Sequence, residues 1–371
     1  MKKIYYLMIK IIDWIKYKKS QCLEIKKIKE KKRVEIQSRV TLTKMQKKEI
    51  DDLYKLKLGK KVLYNWHKNY YSISGKFDYK YFPELLYIPG IERLLNNPKY
   101  YGCLQDKSMI EIFVKGLDYV KPLETYIRCA NGLLTDSNYN IIDIEEAASI
   151  LCKKEKFFIK PTIDSCSGKD CRICIPKEDY DNLTREKILD ILKNYGKNYI
   201  VQKVVKNSEE LKKLNPTSLN SFRIITYILD GKIYHMPISL KMGRSNGYLD
   251  NAHAGGIFIG IDDEGNLSEY AHSEFGENFD KHPDTNVIFK GYKIARVPQV
   301  LEVAHKLQTL FPHVGCINWD LTIDENGNIV LIEGNMRNGS IWHPQMANGK
   351  SAFGDNTERI LEIVKENKKL Y

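Results

Sequence analysis

The first 19 residues alternate apolar and polar positions with the period of an α-helix. Apolar side chains recur three and four positions apart, and lysines surround them. Two interpretations follow: the helix lies on an anionic membrane surface, or it packs on its own protein with its lysines in water. The apolar positions are Ile4, Leu7, Met8, Ile11, Ile12 and Ile15, with Trp14 at their edge, and the lysines are Lys2, Lys3, Lys10, Lys16, Lys18 and Lys19.

The pattern changes several times along the rest of the chain. Residues 24–58 combine Lys and Glu with helical spacing, which is typical of a solvated arm. Apolar runs alternate with helical stretches up to residue 200, and turn signals separate strands after it. We therefore predict a basic helical extension over 1–60, an aromatic-rich segment over 61–105, a small subdomain over 106–200 and a C-terminal subdomain over 201–371.

Hairpin signals in the C-terminal subdomain are strong. Asp230-Gly231, Glu264-Gly265-Asn266 and Asn326-Gly327 each separate two strand-like runs. A two-residue loop at Asn326-Gly327 also predicts which residues lie opposite each other, because loop length sets the register. The expected cross-strand pairs are Ile323 with Val330, Leu321 with Ile332, Trp319 with Gly334, Asp320 with Glu333, and Asn318 with Asn335.

The polar face of this last hairpin is a candidate metal site. Directly opposed carboxylates repel each other unless a positive charge lies between them. Asp320 and Glu333 would be opposed in this way, and Asn335 would add an oxygen on the same face. Hard oxygen ligands of this kind suit a divalent cation such as Mg²⁺. The alternative is a solvated hairpin whose charged side chains point away from each other.

Charge and composition narrow the class of protein. The chain carries a net charge of +12, but residues 1–70 alone carry 21 Lys and Arg against 7 Asp and Glu. The remainder is nearly neutral, so no basic nucleic-acid-binding core is expected. The sequence contains no run of 18 apolar residues, which is the length that would predict a transmembrane helix, and its N-terminus lacks a cleavable signal pattern. Eight scattered cysteines suit a reducing compartment, so we expect a cytoplasmic protein.

A second polar segment could bind phosphate. The predicted strand ending at Lys160 is followed by a loop of small residues over 164–170, with lysines on both sides. Small residues let backbone N–H groups approach a phosphate. The loop is not a P-loop, because its spacing does not match G-x-x-x-x-G-K-[ST]. By itself the segment is also consistent with an ordinary turn.

Taken together, these segments resemble the sugar-transfer-associated branch of the ATP-grasp superfamily over residues 60–365. The resemblance implies an α+β fold, with α/β character, in which two α+β subdomains grip ATP between antiparallel sheets. The helical basic N-terminal extension lies outside it. The residues that carry it are Phe158-Ile159-Lys160-Pro161, Val201-Gln202, Leu219-Asn220-Ser221-Phe222-Arg223-Ile224, Asp250-Asn251-Ala252-His253-Ala254-Gly255-Gly256, Asn318-Trp319-Asp320 and Ile332-Glu333-Gly334-Asn335-Met336-Arg337-Asn338-Gly339.

The resemblance also implies roles for individual residues. Lys160 would bind phosphate oxygens of ATP, and Arg223 would face the transferring phosphate; both are the expected catalytic residues. Further nucleotide contacts are implied for Lys107, for Ser165, Ser167, Gly168 and Lys169 in the loop, and for Gln202, Val204 and Val205 near the adenine. Asp320, Glu333 and Asn335 would hold Mg²⁺, as two ions.

The activity implied is that of an ATP-dependent ligase. ATP would convert a carboxylate into an acyl phosphate, which an amine or similar nucleophile then attacks, in the synthesis of cell-surface polysaccharide or sugar conjugates. Small-molecule carboxylate and amine or sugar-linked substrates are the expected partners, with contact to an anionic membrane as a further option. The alternative is a non-catalytic nucleotide-binding protein docked at a membrane. Substrate contacts would come from Arg244, Asn251, His253 and Arg337, although His253 also suits a turn and Arg337 a surface ion pair.

Overall fold

The computed structural model describes residues 2–97, 100–101, 105–163, 170–175, 184–245, 247 and 250–367. Its strands are β1 (Lys121–Pro122), β2 (Thr125–Ala130), β3 (Leu133–Thr135), β4 (Phe157–Pro161), β5 (Arg172–Cys174), β6 (Asn198–Lys203), β7 (Ser221–Leu229), β8 (Lys232–His235), β9 (Ile238–Met242), β10 (Ile257–Ile261), β11 (Leu267–Ser273), β12 (Asn278–Phe279), β13 (Cys316–Ile323) and β14 (Ile329–Asn335).

Helices precede, connect and follow these strands. They are α1 (Lys2–Ile28), α2 (Lys31–Ser38), α3 (Lys44–Leu58), α4 (Asn65–Ser74), α5 (Glu84–Leu86), α6 (Glu92–Leu95), α7 (Lys107–Val114), α8 (Ile144–Cys152), α9 (Arg185–Asn194), α10 (Glu209–Leu214), α11 (Val297–Leu310), α12 (Trp342–Asn348) and α13 (Thr357–Glu366), with a π-helical turn at Tyr87–Ile91 and 3₁₀ turns at Ala252–Ala254 and Gly354–Asn356. Within the described ranges, no helix combines the length and apolar character that crossing a membrane requires.

The larger sheet has the strand order β1-β14-β13-β7-β9-β10-β11-β12, and β8 extends β7. All its strand pairs are antiparallel except β1 with β14. Side chains alternate between the two faces, as strand geometry requires. Phe222, Trp319 and Leu321 point to the face that packs on α11 in the main core. Polar side chains of the same strands therefore lie together on the other face.

The smaller sheet has the order β3-β2-β6-β4-β5 and is antiparallel. One face packs on α8 and α9 through a separate core that includes Phe157, Ile159 and Val201. Because side chains alternate, Lys160 and Gln202 point away from these helices. The two-sheet α+β architecture expected from the sequence is confirmed.

The N-terminal helices pack on the larger sheet, so the expectation that residues 24–58 form a solvated arm is wrong. In α3, Ile50 and Tyr54 are fully buried in a core that includes Ile225 of β7. In α2, Ile36 is buried beside Trp342 of α12. Lysines occupy the exposed positions of both helices, which is why their composition suggested solvent on all sides.

The hairpins follow the turn signals, with one difference in register. Asp230 and Gly231 have positive φ and directly join β7 to β8, as a two-residue turn requires. Around Asn326-Gly327 the loop spans 324–328 instead, so Ile323 pairs with Ile329 and Leu321 with Leu331, not with Val330 and Ile332. A bulge at Ile332 then adds one residue to β14. This bulge restores the expected pairs from Asp320 onward.

Candidate functional site

A row of polar side chains crosses four neighbouring strands of the larger sheet. Glu333 of β14 pairs with Asp320 of β13, Asp320 pairs with Arg223 of β7, and Arg223 pairs with Ser239 of β9. Directly paired residues on adjacent strands share a face. The carboxylates predicted to be opposed are therefore opposed, and a guanidinium lies next to them in the same row.

Asp320 is the most strongly held group in this row. It is 3% exposed, and its two oxygens lie 2.6 Å from Nε and 3.0 Å from Nη2 of Arg223. Nζ of Lys241, on β9, lies 3.1 Å from Oδ2. Burial alone would raise the pKa of Asp320, but the two cations hold it well below its usual range. The positive charge that opposed carboxylates require is thus supplied by the protein itself.

Glu333 and Asn335 lie beside Asp320 and complete the predicted ligand set. Nδ2 of Asn335 donates a hydrogen bond of 3.0 Å to Oε1 of Glu333, so their side chains are in contact. Both line a small pocket that Gln105 and Lys107 also line. Asp320 accepts three hydrogen bonds, which leaves lone-pair capacity on its carboxylate. Two carboxylates and an amide oxygen on one face of two neighbouring strands fit Mg²⁺.

No cluster of three or more His, Cys, Asp or Glu that could hold a metal occurs in the described part of the chain. The predicted set is of a different kind, since its third ligand is the amide oxygen of Asn335. It is also the combination of oxygen donors that a hard cation prefers.

Cationic side chains of the small subdomain approach the same pocket. Lys160 is 5% exposed and lies on the face of the smaller sheet that points away from α8 and α9. Burial lowers the pKa of its ammonium group, Glu333 opposes this shift, and the charge of Lys107 adds to it. Lys107 begins α7, and its backbone N–H donates to the carbonyl oxygen of Thr162, just after β4. Two positive charges therefore lie beside Glu333, where anionic phosphates would be neutralised.

Gln202 lies on the same face as Lys160, one strand away. Its Nε2 donates to Oγ1 of Thr125, while its Oε1 is buried without a hydrogen-bond partner. Val204 and Val205 follow β6 and are half-buried. They belong to the segment that leads from the smaller sheet to Asn207, which bonds to Thr322 of the larger sheet. The residues predicted to meet adenine therefore line the connection between the two sheets.

A family model described as sugar-transfer associated ATP-grasp matches residues 90–360, well over half of the chain. The chain belongs to the sugar-transfer associated ATP-grasp family. The resemblance noted from the sequence is confirmed.

The solved structures that match the chain include a synthetase and a ligase of low sequence identity. D-alanyl-alanine synthetase A from Vibrio cholerae O1 biovar eltor str. N16961 is 13% identical, with a TM-score of 0.42 over 74% of this chain and 68% of that one. The D-alanine-D-alanine ligase from Coxiella burnetii is 9% identical, with a TM-score of 0.41 over 74% of this chain and 62% of that one. No curated protein matches the chain.

Within this ATP-grasp chain, four of the implied phosphate contacts lie outside the described residues. They are Ser165, Ser167, Gly168 and Lys169. Their assignment to the phosphates remains a prediction from the sequence.

The predicted substrate residues are only partly brought together. Asn251 caps the 3₁₀ turn through the backbone N–H of His253, and His253 contacts Glu274. Arg244 instead donates to the carbonyl oxygen of Gly255 and pairs with Glu277 at 2.8 Å. Its guanidinium therefore supports the loop that carries Asn251 and His253.

Arg337 lies apart from these residues. It is exposed just beyond β14, and its charge acts on the buried carboxylate of Glu92. Glu92 accepts hydrogen bonds from the backbone N–H groups of Asn338 and Gly339.

The sequence assigned no role to three polar residues of the site, Lys241, Asp250 and His343. Lys241 lies between Asp320 and Asp250, whose nearest oxygen is 3.6 Å from its Nζ. Asp250 also accepts a hydrogen bond from Ser221. His343 of α12 is 6% exposed, with Nδ1 at 2.9 Å from Oγ of Ser239 and Nε2 without a partner. Alternation along β9 places Lys241 on the face of Ser239, and this was the available signal.

Proposed function

We propose that this protein is an ATP-dependent ligase that activates a carboxylate as an acyl phosphate and joins it to an amine. The observation that carries the proposal is the single row in which Glu333, Asp320 and Arg223 lie side by side. Lys241 joins the row at Asp320, and Lys160 faces it from the smaller sheet. Phosphoryl transfer needs this combination of metal ligands and fixed cations around a phosphate.

The residues divide the work between binding and charge neutralisation. Mg²⁺ held by Asp320, Glu333 and Asn335 would neutralise phosphate oxygens. Lys160 and Lys107 would bind phosphates from the side of the smaller sheet. Buried, pre-positioned cations stabilise developing charge better than mobile ones, because they need no reorganisation during the reaction.

Arg223 and Lys241 have a second partner available in this proposal. Both contact Asp320. A phosphate arriving beside Asp320 offers them oxygens of equal charge, and the carboxylate is then free to bind a cation. Nucleotide and metal binding should therefore support each other.

The sugar-related role rests on the family name alone. Synthesis of a polysaccharide or sugar conjugate is consistent with it, and the acid and the nucleophile are proposed only by class. The alternative is a nucleotide-binding protein without catalysis. Intact metal ligands and cations favour the enzyme.

The experiment that separates these options measures ADP release by the full-length protein. The reaction contains ATP, a defined mixture of amino acids, uronic acids and dicarboxylic acids, and a mixture of primary amines. We expect ADP release that requires Mg²⁺, acid and amine together. Tight binding of ATP without ADP release from any mixture would support the non-catalytic alternative and reject the ligase.

The exposed face of α1 supports a second proposal, contact with an anionic membrane. Tyr17, Glu24 and Ile28 form the side of α1 that is buried on the protein. At 100° per residue, Ile11 and Ile15 lie on the opposite side, and both are about half exposed. Met8 and Ile12 are exposed with them, together with Lys16, Lys18 and Lys19. Apolar side chains facing away from the protein among lysines fit an anionic lipid surface.

Sedimentation with vesicles tests this contact. The variant combines Ile11→Gln, Ile12→Gln and Ile15→Gln, which leaves the net charge unchanged. We expect it to bind phosphatidylcholine–phosphatidylglycerol vesicles at least about tenfold less than the wild type, because the apolar contribution is lost. Leu56→Gln, at an exposed position of α3, is the matched control. Equal binding of all three proteins would reject the membrane contact.

A further inference from the structure

Glu333, Asp320 and Arg223, joined by Lys241, form the row proposed above to bind phosphate, here called the phosphate-binding row. A second set of charged side chains does not take part in it. Oε2 of Glu274 is 2.7 Å from Nδ1 of His253, and Oε1 of Glu274 is 2.6 Å from Nη2 of Arg33. Glu274 is 5% exposed at the end of β11. Burial would raise the pKa of its carboxyl group, but His253 and Arg33 lower it below the usual value. Glu274 is thus an ionised carboxylate held between two partners.

His253 is held in one orientation by this contact. The carboxylate of Glu274 can only accept a hydrogen bond, so Nδ1 of His253 carries the proton that is donated. In neutral imidazole Nε2 then carries a lone pair. The His253 side chain is 48% exposed. A carboxylate that orients a histidine in this way is a recurring arrangement in general-base catalysis.

The position of His253 links it to the reacting groups. It follows Asp250 by three residues, and Asp250 contacts Lys241 of the phosphate-binding row. Arg244 anchors the far end of the same loop at Gly255. The ring of Trp342 lies 5.9 Å from that of His253, and His343 follows Trp342.

His343 relates the two sets of charges. Its Nδ1 lies 2.9 Å from Oγ of Ser239, which pairs with Arg223 in the row. Its ring lies 5.4 Å from the ring of Trp342, which in turn lies 5.9 Å from the ring of His253. Since Lys160 and Lys107 approach the row from the smaller sheet, the side near His253 is left for the nucleophile.

We propose that His253 is the general base that takes a proton from the amine nucleophile, with Glu274 and Arg33 as its positioning residues. This inference rests on the proposed ligase function and assigns the nucleophile as an amine that arrives protonated. It also gives the N-terminal region a part in the site, because Arg33 belongs to α2.

The step balances as follows. The ammonium group of the nucleophile gives one proton to Nε2 of His253, and the freed electron pair forms a bond to the acyl carbon. The bond between that carbon and the phosphate oxygen breaks, and phosphate leaves with its electron pair. The second proton of the nitrogen goes to the departing phosphate, which leaves an amide and a protonated His253 that returns its proton to water.

Two nucleophiles distinguish a general base from a structural residue. Primary amines are protonated at neutral pH and need the base, whereas hydroxylamine is already unprotonated there. In His253→Gln we expect the ratio of amine-dependent to hydroxylamine-dependent ADP release to fall by about 100-fold. Added imidazole should restore amine-dependent release in His253→Gly. His313→Gln, an exposed histidine elsewhere, is the matched control and should keep the wild-type ratio.

The tautomer of His253 is measured separately by nitrogen NMR on ¹⁵N-histidine-labelled full-length protein. We expect a proton on Nδ1 and none on Nε2 in the neutral form, with this preference weakened in Glu274→Gln. A His253→Gln protein with the wild-type ratio, or a proton on Nε2 in the wild type, would overturn the assignment. If the wild type releases no ADP with either nucleophile, the ligase proposal itself fails and this inference with it.

Discussion

At the scale of single residues, Asp320 combines two functions that conflict. It is a predicted metal ligand, yet Arg223 and Lys241 already neutralise it in a buried environment. The hairpin considered alone suggested that the opposed carboxylates would destabilise the protein by repulsion. Because two cations neutralise Asp320, this destabilisation is not expected. Arg223 and Lys241 in turn depend on the carboxylate of Asp320 to neutralise their own buried charges.

Asp320→Asn should destabilise the protein as well as inactivate it. The change leaves Arg223 and Lys241 buried without their carboxylate, which costs about 3 kcal/mol in the free energy of unfolding. Because folding lowers the pKa of Asp320, its contribution is present above the unfolded-state pKa and is lost as the pH falls through the folded-state value.

Thermal unfolding at neutral pH with and without Mg²⁺-ATP measures both effects. The melting temperature of Asp320→Asn should be lower than that of the wild type, and Mg²⁺-ATP should raise it less. A variant with wild-type stability and full Mg²⁺-dependent turnover would show that Asp320 is neither a metal ligand nor needed to neutralise Arg223 and Lys241.

Lys160→Ala should weaken ATP binding by about one to two orders of magnitude, since one charge-assisted contact of roughly 1.5–3 kcal/mol is lost.

The stability of the protein without ATP should respond differently to a change at Lys160. Burial lowers the pKa of Lys160, because it disfavours the charged form, and Lys160→Met should therefore be at least as stable as the wild type.

Isothermal titration calorimetry with ATP measures the affinity, and Lys153→Ala, at an exposed position before β4, is the control. Unchanged ATP affinity in a folded Lys160→Ala protein would mean that the phosphates bind elsewhere.

At the scale of elements, the segment after β14 depends on two buried carboxyl groups. Glu84 accepts a hydrogen bond from the backbone N–H of Ile341, and Glu92 accepts two, from Asn338 and Gly339. Burial raises the pKa of each carboxyl to about 8. These contacts connect α5 and α6 to the segment that directly follows the strand with Glu333 and Asn335.

The stability of the protein should fall as the pH rises through this range. A carboxyl group whose pKa is raised by folding does not lower the free energy of unfolding as long as the pH is below its unfolded-state pKa. As the pH rises from that value to the folded-state pKa, the free energy of unfolding falls progressively. We expect the melting temperature to decrease between about pH 5 and about pH 9. In Glu84→Gln/Glu92→Gln this decrease should be smaller, since an amide does not titrate. Identical pH profiles for the two proteins would contradict the raised pKa values.

At the scale of the whole molecule, the N-terminal region belongs to the folded body from about Tyr17 onward. Tyr17, Ile28 and Ile36 are buried, and Arg33 is bonded to Glu274 across 241 positions of sequence. The segment that precedes Tyr17 has exposed apolar side chains instead. One helix therefore contains both a structural part and a part available for contact with a partner.

Two truncations separate these parts. Removing residues 1–15 should leave the melting temperature and ATP affinity close to those of the full chain and should abolish vesicle binding. Removing residues 1–40 should destabilise the protein severely, since each buried aliphatic side chain lost from the core costs about 2–5 kcal/mol. Thermal unfolding of both proteins measures the difference. A fully stable protein lacking residues 1–40 would disprove the structural role of α2.

The sequence by itself determined the features that depend on local periodicity. Alternation along β14 places Glu333 and Asn335 on one face. Asp320 of β13 shares that face when it pairs with Glu333, and this pairing does not require one particular loop length. The loop was in fact longer than predicted, and the bulge at Ile332 restored the register at the site. Lys160 and Gln202 were assigned from the resemblance to the ATP-grasp family and not from periodicity, and their contact with nucleotide stays a prediction.

Only the tertiary structure decided which distant groups meet. Lys241 contacts Asp320 across 79 positions of sequence, and no local period encodes that contact. The pairing of Arg33 with Glu274 spans 241 positions, in a segment whose composition suggested solvent. Burial of a lysine-rich helix depends on the few apolar residues that find a partner surface, and only packing against the larger sheet supplies that surface.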